Sequence, residues 1–257
     1  MLEDPIIFAG ILLLTGMWAG AVNSVAGGGT FFSFPILLLM GVPPLLANTT
    51  NKFALWFASI AGMAGFVKEI KAQKSRIWIF AFIALIGSIT GSLLLLITPA
   101  ETFQAMVPWL LLIATLLFAG GRYGLGRVRK WSGTEKNTSI SSRHSLFWQW
   151  LIGVYGGFFA AGMGILMMAL YELSGVRSVH EMNGLKTFVA FSINGISALT
   201  FLVVGMVDWS IAIYLMCGAI IGGYFGAVLS KKVPELWIRR AIILYGLLMS
   251  AYFFATY

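Results

Sequence analysis

Long apolar stretches broken by short polar ones run the length of the chain. Residues 5–26, 53–67, 77–97, 102–119, 147–170, 187–207, 209–230 and 236–256 carry little or no charge. Apolar runs of about 18 or more residues read as membrane-spanning helices, and these qualify or come close. The pattern predicts an all-α fold, a polytopic helical membrane protein. Two short apolar segments, 31–40 and 165–173, each follow a glycine cluster and end in a Gly-Val turn.

One stretch departs from the pattern. "NSVAGGGTFFSFPILLLMGVPPLLANTTNK", residues 23–52, places a triple glycine, three prolines, a small polar run and a lysine among apolar residues. Part of it recurs. "AGGG" at 26–29 resembles "AGMG" at 161–164, "GVP" at 41–43 resembles "GVR" at 175–177, and "TNKF" at 50–53 aligns with "GLKT" at 184–187. Lys52 therefore falls on Lys186. Gly87 and Gly91 match Gly218 and Gly222, each pair in the G-x-x-x-G spacing of closely packed membrane helices. The expected organisation is a first transmembrane repeat at 1–119, a cytoplasmic basic linker at 120–146 and a second transmembrane repeat at 147–257.

Composition adds the solvent. Hydrophobic residues make up 59% of the 257 and charged ones only 10%, with a mean hydropathy of +0.91. Soluble domains carry roughly 25% charged residues, so this chain cannot clothe itself in a water-facing surface. The net charge of +8 is spread over positions that bracket apolar segments, which positive-inside bias explains better than nucleic-acid binding. If both short segments cross, each half has five membrane segments and the second half is inverted. Lys68, Lys71, Lys74, Arg76, the basic residues of 120–144, Arg177, Lys231, Lys232, Arg239 and Arg240 then all face the cytoplasm. That is fifteen of the seventeen Lys and Arg residues. Both termini are then extracytoplasmic. The start "MLEDP" is acidic where a cleavable leader is basic, so the first span is expected to be retained.

The two cations left over are Lys52 and Lys186. Charge within a span is costly and by default marks function. Irregular backbone at membrane depth survives only where protein or a water-filled cavity satisfies it, and matching interrupted segments in two halves point to a transporter's substrate site. "NTTN" at 48–51 reads as N-capping residues ahead of a helix from Phe53, which would put Lys52 at a helix start favourable to anions. Lys186 holds the matching place, with Asn194 two turns further on. The rival reading has each lysine reaching to the interface or pairing with Glu172 or Glu181. Those two glutamates are also the candidates for proton coupling, against pairing with Arg177, His180 or Lys186. Cys217, the single cysteine, reads as a small buried hydrophobe. His144 and His180 are far apart, and no metal-spaced acid group appears, so neither an enzyme nor a cofactor is expected.

The stretch from "AGAVNSVAGGG" to "TTNK", with "GVYGGFFAAGMG" in the second half, resembles the TauE/SafE family, the sulfite-exporter superfamily. The resemblance covers nearly the whole chain. It implies a multi-pass transporter of a bacterial or archaeal cytoplasmic membrane that moves small sulfur-containing anions, such as sulfite or sulfonates like sulfoacetate, outward. The partners implied are that small anion and the lipid bilayer. Carried over by position, Asn23, Gly27, Gly28, Gly29, Thr50, Asn51, Lys52, Lys186 and Asn194 are the expected pathway residues. Relatives often have Asp where this chain has Asn23 and Gly156, which argues against carboxylate-based coupling at those two places. Export needs no coupling where an inside-negative potential drives a monovalent anion outward by roughly 2.3 kcal/mol per 100 mV. The alternatives are a transporter of another small solute with structural lysines, or a non-transport membrane protein.

Overall fold

Helix boundaries follow local chemistry. Asp4 caps the first helix by accepting from the Ile6 amide at 2.9 Å, and Pro5 opens it, where a missing N–H costs nothing. Pro44 opens the third helix in the same way. In the computed structural model, residues 4–72, 74–131, 143–176, 178–229 and 235–256 are described. They form helices α1 (Pro5–Ala26), α2 (Gly29–Leu39), α3 (Pro44–Met63), α4 (Val67–Ala72), α5 (Lys74–Ile97) and α6 (Ala100–Trp131). The second half supplies α7 (Arg143–Phe158), α8 (Met163–Leu173), α9 (Val179–Val203), α10 (Trp209–Leu229) and α11 (Glu235–Thr256).

Five of these, α1, α5, α6, α9 and α10, are long and apolar enough to cross a membrane. Their outer faces suit lipid: Leu14, Trp18, Trp78, Phe82 and Val203 are more than 60% exposed. α3 has the length but not the hydropathy, because it carries Asn48 to Lys52. Those five residues are all buried against protein, so α3 runs through the centre of the bundle. Pro35 inside α2 removes a helix bond, and the neighbouring Phe32 carbonyl accepts from Tyr245 of α11 at 3.3 Å.

Three expectations need correction. Cys217 is exposed on α10 and not a buried hydrophobe. The apolar run 147–170 is not one span; it breaks between α7 and α8, where Ala160 and Gly162 both take positive φ. "NTTN" is not a cap, since α3 begins at Pro44 and carries Lys52 two turns inside. The double proline starts the helix early. Arg177, Lys231, Lys232 and 132–142 of the basic linker lie outside the described residues.

Each half packs chiefly on the other. Gly16 and Gly20 of α1 meet Leu215 to Gly223 of α10, and Gly87 and Gly91 of α5 meet Trp150 to Phe158 of α7. Residue numbers rise together in both pairs, so these helices run parallel. Along α3 and α9, Lys52 lies beside Phe201 and Trp56 beside Phe191 and Gly195, so this pair is antiparallel. Trp109 against Phe254 and Thr115 against Gly246 make α6 and α11 antiparallel as well. A methyl added at Gly222 would sit 1.9 Å from the Met17 carbonyl, and one at Gly91 would sit 2.0 Å from that of Val154.

Gly222→Ala and Gly91→Ala should each destabilise the fold by about 1–3 kcal/mol, the cost of overpacking. Gly10→Ala, with nothing within 4 Å of the new methyl, should be neutral to within about 0.5 kcal/mol. Thermal melting of the detergent-purified variants measures the contrast.

Candidate functional site

The two chain breaks build the site. α1 ends at Gly27 with φ +70, and α2 starts at once from Gly28. α7 ends at Phe158, the chain turns through Ala160 (φ +73) and Gly162 (φ +72), and α8 starts. Both α2 and α8 have 11 residues, about 16 Å of helix, half a hydrocarbon core. Neither has a side-chain cap at its N-terminus. The elbows touch: a Cβ on Gly27 would lie 2.9 Å from the Gly164 Cα, and one on Gly164 equally close to the Gly27 Cα. Only glycine lets the two backbones come this near.

Lys52 is 1% exposed, and its partners are backbone. Its Nζ donates to the Gly156 carbonyl at 2.8 Å and also to that of Gly157. One turn earlier, Asn48 Nδ2 donates to the Phe158 carbonyl at 2.9 Å. The last carbonyls of a helix lack intrahelical partners, so α3 caps the broken end of α7 from across the bundle. The Phe201 ring lies 5.5 Å from the same Nζ, within cation–π reach. Lys186 is 2% exposed, and its Cδ lies 3.2 Å and 3.7 Å from where Cβ atoms on Gly164 and Gly27 would be.

Both lysines, Gly27 and Gly164 line one cavity of about 30 Å³, room for a water or two or one small ion. α1 contributes Asn23, Ser24 and Gly27; α2 contributes Thr30; α3 contributes Lys52, Leu55, Ser59 and Gly62. The second elbow brings Ala160, Met163 and Gly164, and α9 brings Lys186, Thr187, Ala190 and Asn194. Asn23 Nδ2 reaches Ser59 Oγ at 3.5 Å, and Ser24 Oγ donates to the Gly223 carbonyl at 2.9 Å. Gly29, Thr30 and Gly164 stand in first helical turns, where N–H groups have no partner within the helix. Two half-helix N-termini and two lysines therefore face one small volume, an arrangement that attracts negative charge. Among the described residues no group of three or more His, Cys, Asp or Glu could hold a metal.

Of the residues singled out from sequence, Asn23, Gly27, Lys52, Lys186 and Asn194 line the cavity. Gly28 and Gly29 shape the first elbow, Gly29 fitting against the Ala19 carbonyl. Thr50 Oγ1 accepts from the Asp208 amide at 3.0 Å, and Asn51 Oδ1 accepts from Ser33 Oγ at 2.5 Å; both lie off the cavity. Glu172, near the end of α8, and Glu181, in the first turn of α9, are also not among its lining residues. Sequence reasoning missed Ser24, Thr30, Ser59 and Thr187. The signal was spacing: Lys52, Leu55, Ser59 and Gly62 share a helical face, as do Lys186, Ala190 and Asn194.

A family model described as "Sulfite exporter TauE/SafE" matches residues 12–253. A "Probable membrane transporter protein" of Haemophilus influenzae is 27% identical over 94% of this chain and 92% of its own length. "Probable membrane transporter protein ORF9" of a Sinorhizobium species is 28% identical over 84% of this chain and 80% of its own length. "Probable membrane transporter protein YfcA" of Escherichia coli K12 is 26% identical over 95% and 89%. No solved structure matches.

Ala160 holds a left-handed conformation that costs a residue with a Cβ about 1–2 kcal/mol. Tyr155 pins it there, its carbonyl accepting from the Phe159 and Ala160 amides and its hydroxyl donating to the Ala161 carbonyl at 2.5 Å. Ala160→Gly should raise the apparent melting temperature and Ala160→Val lower it. Paired melts of the purified variants check this.

Proposed function

The chain belongs to the sulfite exporter TauE/SafE family, and on that premise we propose that it exports small sulfur-containing anions, sulfite or an organosulfonate such as sulfoacetate. The substrate would bind where the two elbows meet, and alternating access of the two halves would carry it across. One observation carries this reading: Lys52, Lys186 and the uncapped N-termini of α2 and α8 converge on one polar cavity in the middle of an apolar bundle. Nothing that lines it is acidic. The family's description supports the sulfur oxyanion, and the small cavity suits a compact ion.

Several packing facts support an inverted arrangement of the halves. α3 and α9, which hold the matching lysines, run antiparallel, and so do α6 and α11. The parallel pair α1–α10 has its counterpart in α7–α5. Rocking about the Gly27–Gly164 contact would then open the cavity to alternate sides. A bacterial or archaeal cytoplasmic membrane, with both termini outside, fits this arrangement and the distribution of basic residues. Transport of another solute with structural lysines is the second reading. The carbonyl bonds of Lys52 favour it for that lysine only.

Purified protein in liposomes should pass sulfite down an imposed potential. Lys186→Ala should cut the flux at least about tenfold, the effect of losing roughly 1.4 kcal/mol of anion stabilisation. Flux of every tested anion unchanged by that substitution would remove the lysine from the site. Tags at residues 1 and 257 should both be labelled by an impermeant reagent on intact cells. Labelling of both only after permeabilisation would overturn the orientation.

A further inference from the structure

We propose that Lys52 is a tethered cation filling a monovalent-cation site at the broken end of α7, so that anion movement through this protein needs no sodium. In helix-broken transporters the C-terminal ends of half-helices and unwound carbonyls hold the coupling cation. α7 ends in that way, its Gly156 and Gly157 carbonyls turned to one point at membrane depth. The group at that point is Lys52 Nζ.

A serine cluster backs these carbonyls. Ser92 Oγ approaches the Gly157 carbonyl at 3.5 Å and bonds Ser197 Oγ at 2.9 Å, which in turn lies 2.9 Å from Ser88 Oγ. Two carbonyl oxygens at a helix's negative end thus meet at a buried point, and among the described residues no carboxylate lines the adjoining cavity. Carbonyls so placed need donors from outside their own helix, and a cation satisfies two at once. α3 supplies that charge covalently and adds Asn48 to the remaining carbonyl of the turn. Fixed to α3, the charge cannot leave with the substrate. Lys52 is then a positioning residue that ties α3 to the end of α7 and holds the second elbow beside the cavity. This division of labour deepens the anion-site reading and rests on it for its consequence in transport. The cation site itself stands on the carbonyl geometry.

Truncation empties the site and leaves its oxygens in place. Lys52→Ala, purified and melted in sodium chloride, methylammonium chloride or N-methylglucamine chloride, should be stabilised by the first or second over the third. The expected shift is about 5 °C or more when the cation is well above its Kd. Recovery of folded protein only when sodium or methylammonium is present during purification supports the proposal equally. Lys52→Met, whose neutral chain fills the same space, and Lys186→Ala should show no cation response, and nor should wild type. Equal melting of Lys52→Ala in all three salts, failure to fold in every one, or the same shift in wild type would overturn the proposal. The melt involves no anion, so a failure of the sulfite reading leaves its outcome intact. In liposomes passing sulfite, replacing sodium by N-methylglucamine should leave wild-type flux unchanged, and a sodium requirement would also overturn the proposal.

Discussion

Backbone that stops being helical inside a membrane must find partners for its N–H and C=O groups within the protein. Two elbows in the middle of the chain impose this requirement, and the rest of the bundle answers it. At the second elbow the carbonyls of α7 are taken by Asn48 and Lys52, and those of Tyr155 and Ala161 by the turn itself. At the first, the Gly27 amide closes on the Asn23 carbonyl. At the starts of α2 and α8 the Phe31, Met163 and Ile165 amides close on the turns themselves, and Thr30 and Gly164 of the same first turns line the cavity. On the anion reading proposed above, first-turn donors beside the cavity and carbonyls of α7 closed by α3 would together favour negative charge.

That arrangement works only if the elbows are held together. The glycine-lined contacts of α1 with α10 and of α5 with α7 bring backbones within a methyl's distance, and in lipid such van der Waals contact replaces the hydrophobic effect as the force between helices. Each of these pairs takes one helix from each half. The halves therefore meet at tightly fitted surfaces, and Gly27 and Gly164 add one more close backbone contact between them.

Much of this was legible in the sequence, and the limits have physical causes. Helices reported by apolar runs alone, such as α1, α5 and α10, fall close to their expected bounds, because hydropathy in a membrane protein records contact with lipid. α3 was harder to place. Its polar run Asn48–Lys52 looks like a helix boundary, yet it is the interior face of a central helix, and hydropathy does not distinguish polar groups facing protein from those facing water. At the second elbow the repeat set 165–173 apart as a short segment, close to α8, while the apolar run 147–170 ran across the break because Phe159, Ala160 and Ala161 are themselves apolar. The repeat located both lysines, since matched positions need no knowledge of depth. Ser59 and Thr187 were hidden as single small polar residues, common in membrane helices as donors to their own helix carbonyls; Ser59 does bond Leu55 in this way, at 3.2 Å.

The two halves are alike in plan and unequal in chemistry, and the inequality matters more for an anion than the likeness. Gly27 turns the first elbow with no strain, whereas the second adds Ala160 in a conformation alanine resists. A strained turn is kept when its surroundings over-determine it, and here the cap from α3 and the Tyr155 hydroxyl do so. The cost falls on the elbow that Lys52 closes. A symmetric site with two mobile lysines would hold a small oxyanion tightly from both sides and release it slowly. On the anion reading proposed above, holding Lys52 on helix carbonyls would leave less of its field for a ligand, and an anion would then be released more readily than from a site where Lys52 was unbound.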